Sequence, residues 1–155
     1  MSDSTPPNAK VLFRVPNQDG TTEVETLWAT HIESDNYRLD NSPFYAYGVS
    51  WEDVVSAPFN SEEGHPTFHH VVSKSGNRTV RVVFDPPIEP GNRSDGIVQR
   101  LIALGCSYEG ANRTYISVNI PPHVELEPVR NYLSECNVTW EHADPTYDQL
   151  FSRDR

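Results

Sequence analysis

The order of periodic segments in the second half of the chain limits the possible fold more than any other feature. Short runs of alternating apolar residues predict four strands, over residues 79–85, 106–110, 114–120 and 138–144. Apolar residues at i, i+4 and i+7 predict two helices. The first is capped by Ser94 or Asp95 and extends to Leu104, and the second extends from Pro128 to Cys136. The order β-α-β-β-α-β is that of the ferredoxin-like fold, which we expect over residues 76–151.

The first half of the chain predicts strands with few helices. Strand-like runs cover residues 10–15, 24–32, 36–40 and 67–74, and turn-forming sequences separate them. Short strands at regular spacing are typical of a small curled β-sheet or partial barrel. We therefore expect an α+β protein in which an N-terminal β-rich lobe, residues 10–75, packs on the ferredoxin-like lobe. The polar, proline-rich residues 1–9 predict a disordered arm.

The charge of the chain limits its partners. It has 22 acidic and 12 basic residues, for a formal net charge of −10. Such a surface repels phosphate backbones and anionic membranes, so we expect no direct nucleic-acid binding, although the surface suits a basic partner. No apolar run approaches the roughly 18 residues that cross a bilayer, and no signal-peptide pattern opens the chain. These features predict a cytoplasmic protein.

Metal and cofactor signatures are missing from the sequence. Cys106 and Cys136 form no CxxC pair, and two thiols are too few for a structural zinc site, so we expect both to stay free. His69 and His70 fall in a predicted strand, where adjacent side chains point to opposite faces and cannot bind one metal ion together. Glycine-rich phosphate loops, HExxH, GxSxG and EF-hand patterns do not occur. We expect no cofactor and no bound metal.

The stretch LDNSPFYAYGVSWEDVV, residues 39–55, concentrates aromatic side chains. Its Asn-Ser-Pro turn and Gly48 predict a corner that directs Trp51 inward, and we expect Phe44 and Trp51 in the core. Tyr45 and Tyr47 stand at i and i+2, so they share one side of the chain, and both carry polar tips. These two tyrosines are therefore candidate ligand-binding residues.

A second candidate site combines Arg93, Ser94 and Arg113. In the predicted topology, the loop before the first helix and the central hairpin turn lie at the same end of the sheet. Two guanidinium groups would then lie near the free N–H groups of a helix N-terminus, which favour a bound carboxylate or phosphate. The alternative is that each arginine pairs with a surface acid, which is common in an acidic chain.

Histidines supply the candidates for acid–base chemistry near neutral pH. The topology brings His123, in the loop before the second helix, near His142 and Asp144 at the end of the last strand. A histidine paired with an aspartate can act as a general base, but no nucleophile is predicted beside this group. These three residues are the catalytic candidates.

Six segments carry a resemblance to a known family: KVLFRVPNQDG, ETLWAT, YRLDNSPFYAYGVSWEDVV, SGNRTVRVVFD, LGCSYEGA and WEHADPTYDQLF. Together they resemble an uncharacterised bacterial family, catalogued as domain of unknown function 4265. The likeness extends from Lys10 to Phe151, and the aromatic stretch is its most specific part. The resemblance implies one conserved unit and brings no catalytic residues with it.

Three functions fit these observations. The first is a non-enzymatic binding or regulatory protein that recognises a small ligand or a protein partner at the junction of the two lobes. The second is a small peptide- or metabolite-modifying enzyme that uses the histidine–aspartate group. The third is an acidic decoy that inhibits a nucleic-acid-binding protein. The missing catalytic signatures and the aromatic stretch favour the first.

Overall fold

The computed structural model describes residues 6–151, which form a mixed α+β structure. Its strands are β1 (Ala9–Pro16), β2 (Thr22–Glu33), β3 (Asn36–Leu39), β4 (Val54–Ser56), β5 (Phe59–Asn60), β6 (His65–Pro66), β7 (His70–Ser73), β8 (Arg78–Val83), β9 (Ser107–Asn112), β10 (Tyr115–Ile120) and β11 (Thr139–Asp144). Its helices are α1 (Arg93–Ala103), α2 (Leu126–Glu135) and α3 (Tyr147–Phe151). Within residues 6–151, no helix is long and apolar enough to cross a membrane.

The first sheet is antiparallel, with the strand order β1-β2-β3-β4-β7. It curls into a half-barrel, which confirms the curled sheet predicted for the first half of the chain. Val11 and Phe13 of β1 point inward because alternate strand residues share a face. The buried apolar residues inside the curl are Val11, Phe13, Leu27, Ala29, Leu39, Ala46, Val49, Val55 and Ala57.

The second sheet contains the strands of the β8-α1-β9-β10-α2-β11 segment. Its strands are antiparallel in the order β11-β8-β10-β9. One face is apolar and packs against α1 and α2, because both helices carry an apolar stripe at helical spacing. The buried residues of this second core are Val80, Val82, Phe84, Ile97, Val98, Leu101, Cys106, Ile116, Val118, Ile120, Val129 and Leu133.

The start of α1 differs from the sequence-based prediction. Its N-cap is Asn92, whose side chain accepts a hydrogen bond from the backbone N–H of Asp95 at 2.9 Å. Ser94, predicted as a cap, instead points inward and donates to the carbonyl of Pro86 at 2.6 Å. The carboxylate of Asp95 accepts from the backbone N–H of Gly91 at 3.0 Å. The N-cap therefore lies two residues before Ser94, the nearer of the two predicted caps.

The predicted N-terminal arm overlaps the first strand. Residues 1–5 lie outside the described part of the chain. The backbone N–H of Asn8 already donates to the carbonyl of Ala29 at 3.0 Å, and β1 begins at Ala9. Asn8 also accepts from the backbone N–H of His31 at 3.1 Å. The last residues of the predicted arm thus belong to the first sheet.

The other face of the second sheet is polar, and it packs against the first half of the chain. Along β8 and β10, the residues of this polar face are Thr79, Arg81, Tyr115, Ser117 and Asn119. The partner that covers it is the aromatic segment, residues 40–53, which links β3 to β4. Ser117 illustrates the contact, because its hydroxyl is buried and donates to the carbonyl of Pro43 at 2.8 Å. Hydrogen bonds therefore connect the polar face of the second sheet to the aromatic segment, which belongs to the first half of the chain.

Candidate functional site

A cleft of about 410 Å³ opens at the edge of this junction. Its walls come from the β1–β2 turn, the aromatic segment and the polar face of the second sheet. We call it the junction cleft, and its lining residues are Val15, Pro16, Asn17, Gln18, Phe44, Tyr45, Tyr47, Arg81, Tyr115 and Glu141. The predicted tyrosine pair, Tyr45 and Tyr47, thus lies on one cavity.

Arg81 forms the base of the cleft and is only 1% exposed. It lies in the middle of β8, directly opposite Ser117 on β10 and Glu141 on β11. Its Nε donates to Glu141 Oε2 at 3.0 Å, which makes a charge-assisted bond. Its Nη1 donates to the carbonyl oxygens of Ala46 at 2.8 Å and Pro43 at 3.3 Å. Arg81 therefore fastens the main chain of the aromatic segment to the second sheet.

Glu25, on β2, holds the same segment from the opposite side. Its carboxylate accepts hydrogen bonds from three consecutive backbone N–H groups, those of Phe44 at 3.0 Å, Tyr45 at 2.9 Å and Ala46 at 2.8 Å. A charged acceptor makes each of these bonds stronger than a neutral one would be. The N–H groups of the turn bind an acid of the first sheet, while its carbonyls bind a base of the second.

Glu109, on β9, anchors the start of the segment. Its carboxylate accepts from the backbone N–H of Ser42 at 2.8 Å and from the side chain of Asn41 at 3.1 Å. Burial raises the pKa of Glu109, and the bonds from Ser42 and Asn41 partly oppose that shift. Three acidic or basic side chains from three strands thus fix one irregular loop.

Tyr47 and Tyr45 are presented at the mouth of the cleft, with 48% and 41% of their surfaces exposed. The guanidinium carbon of Arg81 lies 4.6 Å from the centroid of the Tyr47 ring. The Tyr47 hydroxyl donates to Glu141 Oε1 at 2.7 Å, and burial together with that carboxylate raises the pKa of Tyr47. The ring is therefore held in place but remains open to solvent on part of its surface.

Tyr115 closes the inner wall. Its hydroxyl donates to the carbonyl of Phe44, and its ring centroid lies 6.0 Å from that of Phe44 and 6.3 Å from that of Tyr45. Burial raises the pKa of Tyr115 to about 12. A phenol with so high a pKa stays protonated at neutral pH, so Tyr115 acts as a hydrogen-bond donor and an aromatic surface, and does not act as a base.

Phe44 and Trp51 were predicted in the core, and the structure corrects this to half-buried positions. Gly48 (φ 80°) and Glu52 (φ 70°) adopt left-handed conformations that turn the chain between them. The turn directs Val49 inward, while the Trp51 indole N–H donates to Asp40 Oδ1 at 3.2 Å near the surface. The small residues of the segment fill the core, and its rings lie at the boundary.

The predicted anion site is not assembled. The Arg93 guanidinium donates to the carbonyl of Cys136 at the end of α2, whereas Arg113 lies 3.8 Å from the carboxylate of Glu89. Ser94 is fully buried, and its hydroxyl is bonded to Pro86. The loop before α1 does contact the turn between β9 and β10, because the backbone N–H of Ile88 donates to the carbonyl of Arg113 at 2.8 Å. The sheet end was predicted correctly, but the side chains diverge.

The three catalytic candidates lie in three different surroundings. His142 Nε2 accepts from Arg130 Nε at 3.0 Å, and burial together with the Arg130 charge lowers the pKa of His142. His123 lies on a cavity between the ends of α1 and α2. Asp144 accepts a hydrogen bond from Ser50 Oγ at 2.6 Å. The register of β11 shifts between His142 and Asp144, so their side chains do not form the predicted pair.

Asp144 belongs instead to an ionic cluster that joins the two halves of the chain. The Lys74 ammonium binds Asp144 and lies 2.6 Å from Asp53 Oδ2. Asp53 is fully buried and also accepts from the backbone N–H groups of Ser50 at 2.9 Å and Ser75 at 2.7 Å. The Ser50 hydroxyl, beside this lysine and aspartate, is fully buried, so it is closed to a substrate. The cluster therefore ties β11 and the aromatic segment to the residue that follows β7.

The cysteine and histidine pairs gave one confirmed and one wrong prediction. Cys106 and Cys136 are both free, as predicted. The side chains of His69 and His70 do not point to opposite faces. His69 lies before β7, so the alternation of side-chain direction along a strand does not apply to it. Their Nδ1 atoms lie 2.8 Å apart and share a hydrogen bond. Within residues 6–151, no group of three His, Cys, Asp or Glu side chains is placed to hold a metal ion.

Sequence reasoning found the tyrosines of the junction cleft but missed the residues that support them. Arg81, Glu25 and Glu141 fall within predicted strands, whose solvent-facing positions commonly carry charged residues. A signal did exist, because three predicted strands carry polar residues on one face of one sheet: Thr79, Arg81, Ser117, Asn119 and Glu141. A lobe that packs on such a face must supply matching hydrogen-bonding groups.

The fold is similar to that of a solved structure described as "Novel crystal structure of a hypothetical protein from Neisseria gonorrhoeae", with a TM-score of 0.74 over 94% of this chain and 99% of that chain. The sequences are 17% identical, so the likeness concerns the fold alone. No curated protein matches the chain. The family described as Domain of unknown function (DUF4265) matches residues 25–142, from Glu25 past Glu141, and the chain belongs to this family.

Proposed function

We propose that the protein is a non-enzymatic binding or regulatory module and that the junction cleft is its ligand site. The observation that carries the proposal is the presentation of Tyr45 and Tyr47. Both rings are substantially exposed, yet the main chain that bears them is fixed by Glu25 on one side and by Arg81 on the other. Aromatic side chains that line a concave cavity together with a few polar groups are typical of ligand sites.

Preorganisation is what makes this cleft suited to binding. A ligand that meets an already ordered site loses less of its binding free energy to ordering the protein. Tyrosine is well suited to such a surface, since it offers a large flat area and a polar tip with few rotatable bonds. The cavity is concave and combines apolar walls with convergent polar groups on Arg81 and Glu141, as ligand sites commonly do.

The two other functions receive less support. An enzyme that uses His123, His142 and Asp144 needs them close together, and their contacts are with different partners. An acidic decoy needs its carboxylates on the surface, but several serve internal contacts, among them Glu25, Asp53, Glu109 and Asp144. The binding module is the function that the geometry favours.

A fragment screen followed by NMR tests the proposal. We expect small aromatic compounds to shift the amide signals of Asn17, Gln18 and Tyr47, and we expect a Tyr45→Ala/Tyr47→Ala double variant to lose this response. Tyr108→Ala is the matched control, because Tyr108 is a 44% exposed tyrosine outside the cleft. Equal binding by the double variant, or shifts that cluster elsewhere, would refute the proposed site.

We also propose that residues 76–151 form a ferredoxin-like lobe and that residues 10–75 form a second lobe packed on it. The strand order β11-β8-β10-β9, with α1 and α2 on one face, supports this assignment.

The cytoplasmic location and the lack of direct nucleic-acid binding remain predictions from the sequence. The alternative occupant of the same cleft is a protein partner.

A further inference from the structure

We propose that the junction cleft selects an organic cation, meaning an ammonium or guanidinium group attached to a flat or apolar body. This inference rests on the proposed function and names the chemical class of its ligand. It follows from how the opposite charges of Glu141 and Arg81 are distributed between the interior and the solvent.

The two charges of the cleft are not equally accessible. The side chain of Arg81 is 1% exposed, whereas that of Glu141 is 44% exposed. The positive charge is turned inward and is bonded at Nε, Nη1 and Nη2 to Glu141 and to the carbonyls of the aromatic segment. A ligand that enters from solvent therefore meets the carboxylate first. The cleft is electrically neutral in sum but presents a negative group at its mouth.

Glu141 has unused capacity to accept hydrogen bonds. Its Oε1 accepts from the Tyr47 hydroxyl and its Oε2 from Arg81. An ionised carboxylate offers about four acceptor positions, so each oxygen can take one more donor. An ammonium or guanidinium group supplies such donors together with opposite charge. A carboxylate or phosphate ligand would instead be repelled by Glu141 and would find four of the five Arg81 donors already engaged.

The aromatic walls suit the same chemistry. Aromatic rings attract cations that lie over their faces within about 6 Å of the centroid. Tyr47 already accepts one guanidinium in this way, with Arg81 on its inner side at 4.6 Å. The exposed part of Tyr47 and the ring of Tyr45 remain available to a second cation. The net charge of −10 adds a long-range attraction for cations approaching the molecule.

A matched series of probes tests the inference. Tyramine, para-ethylphenol and phloretate share a phenol ring and differ in charge, being cationic, neutral and anionic. We expect tyramine to bind the cleft about tenfold more tightly than para-ethylphenol and phloretate to bind most weakly. A capped Lys-Tyr dipeptide, which carries both an ammonium group and a phenol ring, distinguishes the two sources of the cation: binding like that of tyramine indicates a basic peptide, and weaker binding indicates a free amine.

Glu141→Gln should bring the affinities for tyramine and para-ethylphenol together, while Glu89→Gln, outside the cleft, should leave the tenfold ratio intact. If Glu141→Gln does not fold, salt dependence in the natural protein decides: higher ionic strength should weaken tyramine and leave para-ethylphenol unchanged. Equal binding of both probes at every salt concentration overturns the cation preference but leaves the proposed site standing. Shifts outside the cleft for all probes overturn the proposed site itself.

Discussion

Arg81 occupies a place where most proteins would bury an apolar side chain between two sheets. Removing a guanidinium from water is costly, and the cost is offset only when nearly all its donors are bonded. Here the fork geometry lets one side chain reach a carboxylate and main-chain carbonyls of the aromatic segment at once. Lysine has a single ammonium and cannot span those positions. Arg81 therefore anchors the loop that carries Tyr45 and Tyr47.

We expect Arg81→Ala to lower the free energy of unfolding by about 3–5 kcal/mol, because it leaves buried carbonyls unsatisfied and removes the partner of Glu141. Arg81→Lys should lose less than the alanine variant but more than about 1 kcal/mol, since charge is kept while the fork is lost. Urea unfolding measures both. The exposed Arg100→Ala is the control, expected within about 0.5 kcal/mol of the natural protein. A loss below 1 kcal/mol for Arg81→Ala would contradict the anchoring role.

The elements themselves show which parts of a fold local sequence can predict. The strand over residues 79–85 is realised as β8 (Arg78–Val83), and the first helix as α1 (Arg93–Ala103). Both were predictable because their apolar residues repeat with a clear period. The short strands β5 and β6 and the five-residue helix α3 were missed. They are too short to show a period, and tertiary contacts specify them.

Two glycines at α1 give a paired test of its geometry. Gly96 lies within the helix with open space around it, so Gly96→Ala should stabilise the protein by about 1 kcal/mol through helix propensity. Gly105, just after the helix, has φ 107°, and an added Cβ would lie 2.7 Å from Cγ2 of Val124. Gly105→Ala should therefore destabilise by about 1–3 kcal/mol. Thermal and urea unfolding measure both changes, and effects of the same sign would show that the described helix end is wrong.

At the scale of the whole molecule, the two sheets are joined by hydrogen bonds and ion pairs between residues far apart in sequence. Sequence patterns predicted the curled sheet and the tyrosine pair, because each depends on neighbouring residues. They could not predict that Arg81 would meet Ala46, or that Lys74 would lie between Asp53 and Asp144. Such pairings depend on how the sheets pack, and the local periodicity of a sequence carries no information about that packing. The tyrosines of the junction cleft could therefore be predicted, but the residues that hold them in place could not.

Lys74→Met tests whether the sheets are energetically coupled. The substitution keeps the aliphatic stem but leaves the buried Asp53 and Asp144 without their cation. Because the Lys74 side chain is 45% exposed and water can partly replace it, we expect a loss of about 2 kcal/mol. Hydrogen exchange should show this loss equally for amides of β2 and β10. Ser73→Ala serves as the control, because Ser73 is the exposed residue next to Lys74. A loss of stability confined to the first sheet would show that the lobes unfold separately.

The backbone of the aromatic segment sets the shape of the junction cleft, whereas the side chains of that segment set its chemistry. Glu25 and Arg81 hold the aromatic segment through backbone N–H and carbonyl groups, which every amino acid at those positions supplies, apart from the N–H that proline lacks. The side chain at position 45 takes no part in these bonds. The protein thus combines a constant framework with a replaceable display surface, much as an antibody does with its loops. The residues at positions 45 and 47 can therefore change, and with them the ligand that we propose for the cleft, while the fold stays the same.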